Sequence, residues 1–283
     1  GPLWPAETAD RLMPLDLPTI RGNHERQVLE PDMGGMGLSD RHARHVLRAD
    51  DLYWLAGLPA TMRLTDDVLL VHGTPGSDLL YFMETVTAQG VRAASADEVA
   101  LRAANADAAL ILCGHTHVAR SFRLDDGRLI VNPGSVGLPA FEDSQPFPHA
   151  IENGSPHARY AIVSDESGRW EAVFHHVDYD WDRAARKAEV NGRPDWARAL
   201  RTGLVLQAHG WRAHGWRPAC RALPHRRRFG GTLAPPTPSI FIDGDCNEQT
   251  DKNRTGRTRR RDRAGRRCPG GHPGKEETRP IAR

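Results

Sequence analysis

The 283-residue sequence contains only four cysteines, and it lacks a long apolar run. Three of the cysteines, Cys220, Cys246 and Cys268, fall in the last quarter of the chain, and none forms a Cys-x-x-Cys pair, which argues against a zinc knuckle. The fourth, Cys113, ends a short apolar stretch and reads as a small buried thiol rather than a nucleophile. The longest apolar runs, residues 68–71 and 108–113, are far shorter than the ~20 residues a membrane-spanning helix needs. A basic, apolar, small-residue leader is also missing, so a cytoplasmic location with no membrane partner is the expectation. The chain opens on Gly1 rather than Met and reads as if entered in mid-loop, which predicts a fragment.

Charge divides the chain in two. Of 38 Lys and Arg and 36 Asp and Glu, residues 1–206 hold 20 and 29, a net of −9, and residues 207–283 hold 18 and 7, a net of +11; the sum is +2. The hydrophobic content of 39% suits a globular core, and the regular patterning is confined to residues 1–206. Residues 207–283 are basic and rich in Gly and Pro, a composition that buries little apolar surface and predicts a disordered tail.

Within the first part, helical patterns cover residues 6–13, 39–48, 51–56, 96–104 and 180–190, and residues 15–20 read as a brief extended stretch. Strands are predicted at 62–64, 68–71, 108–113, 120–124, 128–131, 160–163 and 170–174. The Asp125-Asp126-Gly127 turn marks a hairpin, because Asp-Gly tolerates positive φ. Helices and strands alternate early and hairpins dominate later, which indicates a mixed α/β architecture.

Three histidine-bearing clusters each follow a short apolar or extended stretch and sit at a glycine turn: Gly22-Asn23-His24-Glu25, Val71-His72-Gly73-Thr74 and Gly114-His115-Thr116-His117. Such positions, beyond the carboxyl ends of strands, are where α/β proteins place functional groups. Taken one at a time, the clusters are ambiguous. His72 alone reads more readily as a hydrogen-bonded structural histidine than as a metal ligand, Asn23-His24 reads also as an ordinary Gly-Asn turn, and His115 with His117 reads equally as an exposed polar turn or as a pair of ligands on one loop.

Their order resolves part of that ambiguity. The sequence resembles the calcineurin-like metallophosphoesterase family, whose signature runs Asp-x-His, Gly-Asp, Gly-Asn-His-Asp/Glu, a lone His, and Gly-His-x-His. The last three blocks are present in order, followed by Asn132-Pro133-Gly134-Ser135, a turn of the family's bacterial phosphodiesterase branch. The resemblance spans about residues 1–190. It implies an α/β sandwich of two mixed β-sheets flanked by helices, here lacking its first strand or strands. It further implies hydrolysis of a phosphomonoester or phosphodiester, or of a nucleotide, by water activated to hydroxide between two divalent metal ions such as Mn, Fe or Zn. Asn23, His72 and His115 would bind one metal and His117 would contribute to the other. His24 would act as the catalytic proton donor facing the leaving-group oxygen, with Glu25 orienting it.

The upstream blocks are not found. Neither Asp10 nor Asp16 stands in an Asp-x-His or Gly-Asp context, so the second metal would have His117 alone among its usual ligands. An alternative is therefore a non-catalytic binding module of the same family. Nucleic acid is expected only through the arginine-rich tail, which offers counterion release but no aromatic platform. The composition of residues 207–283 also resembles out-of-frame translation of a GC-rich gene.

Overall fold

A computed structural model describes residues 1–205. The basic segment from residue 207 onward, together with the readings of it as a tail or a shifted frame, lies outside the described residues. Among the described residues, no helix is long and apolar enough to cross a membrane.

The chain begins with four short helices, α1 (Pro5–Leu12), α2 (Asn23–Val28), α3 (Leu38–Val46) and α4 (Ala49–Gly57), then the strands β1 (Thr61–Thr65) and β2 (Val68–Val71). A hairpin, β3 (Glu84–Thr87) and β4 (Gly90–Ala93), precedes α5 (Ala96–Ala103) and β5 (Leu110–Leu112). Next come β6 (Arg120–Arg123), β7 (Leu129–Asn132), β8 (Ala140–Asp143), β9 (His149–Glu152), β10 (Ala158–Ser164) and β11 (Glu171–Val177). Two helices follow, α6 (Trp181–Val190) and α7 (Pro194–Thr202).

Local chemistry accounts for several boundaries. Ser95 caps α5 by accepting from the Glu98 amide at 3.2 Å while the Glu98 carboxylate accepts from the Ser95 amide at 2.7 Å, a reciprocal box that satisfies two end-of-helix donors. Asp180 accepts from the Arg183 amide at 2.9 Å and starts α6. Gly127 turns the β6–β7 hairpin at a φ of 93°, a conformation glycine adopts without steric cost.

The main sheet has the order β1-β2-β5-β7-β6, with β2, β5 and β7 parallel and an antiparallel strand on each edge. Register puts Leu70, Leu112 and Val131 in one row and Leu69, Ile111 and Ile130 in the next, so successive rows face opposite sides. The Leu70 side packs with Val68, Leu110 and Leu129 against Ala161, Val163, Ala172 and Phe174 of the β10–β11 ribbon. The other face, with Val71, Ile111 and Ile130, packs on Val99 and Ala103 of α5 and on Phe82 and Met83. Burial on both faces explains why β2 and β5 read as unbroken apolar runs. A separate cluster joins α6 and α7 to Leu138, Phe141 and Ile151.

The expected α/β class with a mixed main sheet is present; among the described residues a sandwich of two mixed sheets is not. Among the described residues the layer facing the main sheet is the two-stranded antiparallel ribbon β10–β11, and β3–β4 and β8–β9 are separate two-stranded sheets. Residues 15–20 form no strand; a 3-10 turn at Met13–Leu15 ends at Asp16 with a φ of 46°.

Candidate functional site

Because β2, β5 and β7 run parallel, the segments leaving them emerge at one edge of the sheet. These are His72-Gly73 after β2, Gly114-His115-Thr116-His117 after β5, and Pro133-Gly134 after β7, whose last residue is Asn132. The first turn of α2 brings Asn23 and His24 to the same edge, where all four histidines and Asn23 are buried.

The contact between α2 and β2 is tight. His72 Nε2 donates to Asn23 Oδ1 at 2.7 Å. Gly22 lies against that ring so closely that an added Cβ would sit 2.6 Å from His72 Cε1. Gly73 is constrained in the same way, since a Cβ there would meet the backbone oxygens of Ser77 at 2.6 Å and Leu80 at 2.7 Å. Arg26 ties α2 to the segment after β2 through a forked pair with Asp78, Nε to Oδ2 at 2.7 Å and Nη2 to Oδ1 at 3.2 Å.

The loop after β5 is held in an unusual backbone form. His115 and His117 have φ of 66° and 58°, the left-handed region that non-glycine residues seldom occupy. Asn132 clamps this loop: its side-chain amide donates to Gly114 O at 2.7 Å and to Thr116 Oγ1 at 3.0 Å, while its Oδ1 accepts from the Gly134 amide at 2.9 Å. Asn153 adds a bond to His117 O at 2.9 Å. Within the cluster, the His72 and His115 ring centroids are 5.0 Å apart, and Tyr81 lies edge-on to His115 at 5.0 Å. His115 Nε2 donates to Leu79 O at 3.1 Å and His117 Nδ1 to Leu138 O at 2.7 Å.

Burial sets the protonation state. It pushes His72 well below the usual imidazole range, and the neighbouring His115, His24 and His117 add repulsion. His115 is lowered to about 3, again chiefly by burial and then by His117 and His24. Both rings are therefore neutral at ordinary pH, the form in which imidazole binds a metal.

His24 is oriented by a residue that the local pattern does not reveal. Its Nδ1 lies 2.6 Å from Oδ1 of Asp40 on α3, with both side chains buried. This fixes the proton on Nδ1 and leaves Nε2 for chemistry; Nε2 is buried without a partner. Glu25, expected to orient His24, instead accepts from the Gly22 amide at 2.7 Å. At the third position of α2 its side chain reaches back to the start of its own helix. Asp40 carried no local signal, being 16 residues from His24.

Other candidates are placed elsewhere. Arg120 pairs with buried Glu84 at 3.0 Å and donates to Met83 O. Cys113 is a buried free thiol, pushed well above the ordinary thiol range by desolvation.

The donor set fits one cation better than two. Asn23 Oδ1 and His72 Nε2 share a proton that a divalent cation could replace, since amide oxygen and neutral imidazole are both suitable donors. The buried Asn23 Nδ2 and His24 Nε2 have no partner beside it. Among the described residues, no group of three or more His, Cys, Asp or Glu side chains is arranged to hold a metal ion.

The family model of the calcineurin-like phosphoesterase superfamily domain matches residues 5–151. A metallophosphoesterase from Sphaerobacter thermophilus superposes with a TM-score of 0.54 at 24% identity, covering 70% of this chain and 82% of that one. The hypothetical protein PH1004 from Pyrococcus horikoshii OT3 gives a TM-score of 0.55 at 15% identity, covering 72% and 81%. At these identities the structures share the fold, with its mixed main sheet and helices. No curated protein matches the chain significantly. Members of this superfamily bind metal ions and are typically hydrolases. Since the match spans more than half of its 283 residues, and its histidine clusters meet at one sheet edge, the chain belongs to the calcineurin-like phosphoesterase superfamily.

Proposed function

We propose that the protein hydrolyses a small phosphomonoester or phosphodiester with the help of a bound divalent cation. The observation that carries this reading is His24: a buried imidazole with one nitrogen fixed by Asp40 at 2.6 Å and the other unpartnered beside Asn23 and His72.

Asn23, His72 and His115 would hold the cation, with His117 contributing to a second one. A bound cation would neutralise phosphate charge and lower the pKa of water. The chain's own groups supply the rest. The Gly22–His72 contact and the Arg26–Asp78 pair hold α2 against β2, so Asn23 and His72 arrive in fixed orientation. Asp40 holds the ring by its Nδ1, so that Nε2 would face the departing ester oxygen. A proton passed from Nε2 to that oxygen would remove the cost of expelling an alkoxide. Burial keeps bulk water from competing for the same nitrogen.

The test compares the wild-type chain with His24→Ala, each supplemented with Mn²⁺ or Zn²⁺, on a generic aryl phosphomonoester and phosphodiester. A loss of about 10²- to 10⁴-fold in kcat is expected, the usual range for a positioned acid or base. Equal rates would overturn the assignment and favour a metal-binding module without catalysis.

A further inference from the structure

A cavity of about 410 Å³ adjoins the histidine cluster, with His24 and His72 in its wall. That volume lies in the range of small-molecule sites, ~300–1,000 Å³. Most of the wall is apolar and comes from the N-terminal helices and the segment before α2: Trp4, Leu12, Ile20, Val28, Leu47 and Leu55. Of these, all but Val28 remain partly exposed.

Several polar side chains in the wall are engaged within the protein. Thr8 donates to Trp4 O at 2.7 Å and Thr19 to Leu17 O at 2.8 Å. The carboxylates of Glu25, Asp40 and Asp51 serve the Gly22 amide, His24 and Arg48 at 2.7, 2.6 and 2.8 Å. His24 Nε2, by contrast, is buried with no partner. Beyond His24 the hollow is thus mostly apolar, and the polar side chains named above are tied to the protein itself.

We infer that this cavity receives the alcohol portion of the substrate and that this portion is apolar, an aryl or branched alkyl group whose ester oxygen sits at His24. The inference rests on the phosphoesterase reading of the same site. A sugar or nucleoside in that position would exchange its hydration for a mostly apolar wall, a penalty on buried polar groups. An aromatic ring would exchange water for the aliphatic side chains of the wall.

Two non-hydrolysable probes separate the cavity from the chemistry. Phenylphosphonate and methylphosphonate carry the same anionic head and differ in the apolar group, and their binding to the Mn²⁺-supplemented full chain can be followed by calorimetry. Phenylphosphonate is expected to bind about 10- to 100-fold more tightly. Ala43→Phe, which adds a ring from the cavity wall, should reduce that preference to less than about threefold and leave methylphosphonate affinity unchanged. Leu58→Trp fills the cavity from a different helix end and serves if Ala43→Phe lowers the melting temperature sharply. Equal affinities in the wild type, or a preference that survives both fillings, overturn the inference. Parallel assays with phenyl phosphate and methyl phosphate keep the two ideas apart. Turnover of both esters with equal phosphonate affinities removes the apolar site and retains the esterase. Discrimination between phosphonates without turnover retains the site and removes the esterase.

Discussion

The substitution Asp40→Asn isolates the orientation of His24. In the wild type the Asp40 carboxylate accepts from His24 Nδ1 at 2.6 Å, and the residues are only 2% and 3% exposed. A buried hydrogen bond with an ionised acceptor contributes about 1.5–3 kcal/mol. The amide of Asn is nearly isosteric, so packing survives, but it can donate as well as accept and no longer fixes the proton on Nδ1. A loss of about 2 kcal/mol would lower the melting temperature by roughly 4–8 °C in a domain of this size. If His24 delivers a proton, kcat should fall by about 10²-fold or more while KM stays within a few-fold, because the substrate still finds its pocket. A structural role alone would move the melting temperature and leave kcat intact. Proton and nitrogen NMR of a histidine-labelled protein supplies a further readout: the downfield Nδ1 proton of His24 should disappear in the variant. Wild-type kcat together with a retained Nδ1 signal would refute the reasoning.

Other outcomes follow from the same geometry. Gly22→Ala would bring a Cβ to 2.6 Å from the His72 ring; the ring must move off Asn23, so calorimetry should show metal affinity weakened by about tenfold or more. Asn132→Ala removes three hydrogen bonds around the Gly-His-Thr-His loop, and urea denaturation should register a loss of about 3 kcal/mol; a change below 1 kcal/mol would show that the loop is held by other means. In the metal-free protein, His72 and His115 are depressed on folding, His115 to about 3, whereas the unfolded chain titrates near 6.5. Their stabilising effect is full above pH 6.5 and is lost as the pH falls towards 3; between pH 7 and pH 5 each histidine should cost about 2 kcal/mol. Identical urea midpoints at those two pH values would contradict their buried, neutral state.

How much of this was legible in the sequence depended on whether the signal was local. Strands β2, β5 and β7 were readable because burial on both faces demands continuous apolar residues, and because glycine and histidine end two of them abruptly. The β6–β7 hairpin was readable from Asp-Gly. The β3–β4 and β8–β9 hairpins were missed: their four-residue strands mix Glu, Thr, Arg and His with apolar positions and resemble loop. Helix α7 was overlooked although Pro194 at its first turn and Gly203 just past its end are boundary signals. The second mixed sheet was expected from resemblance rather than from strand count, and the β10–β11 ribbon occupies that layer. Asp40 was invisible because its role is defined by a contact across 16 residues, and Glu25 was misassigned although its position on α2 favours bonding back to Gly22. The clamp by Asn132 lay inside a turn that was recognised, yet only the fold shows what its amide grips.

The left-handed backbone at His115 and His117 sets a local strain against the burial of their rings. Each residue with a Cβ in that conformation forgoes about 1 kcal/mol that glycine would recover. Glycine would, however, empty a buried site and surrender the bond to Leu79 O or Leu138 O, a loss of several kcal/mol. Selection for heat resistance alone should therefore keep both imidazoles, and the strain persists in this loop because the packing of its side chains outweighs it.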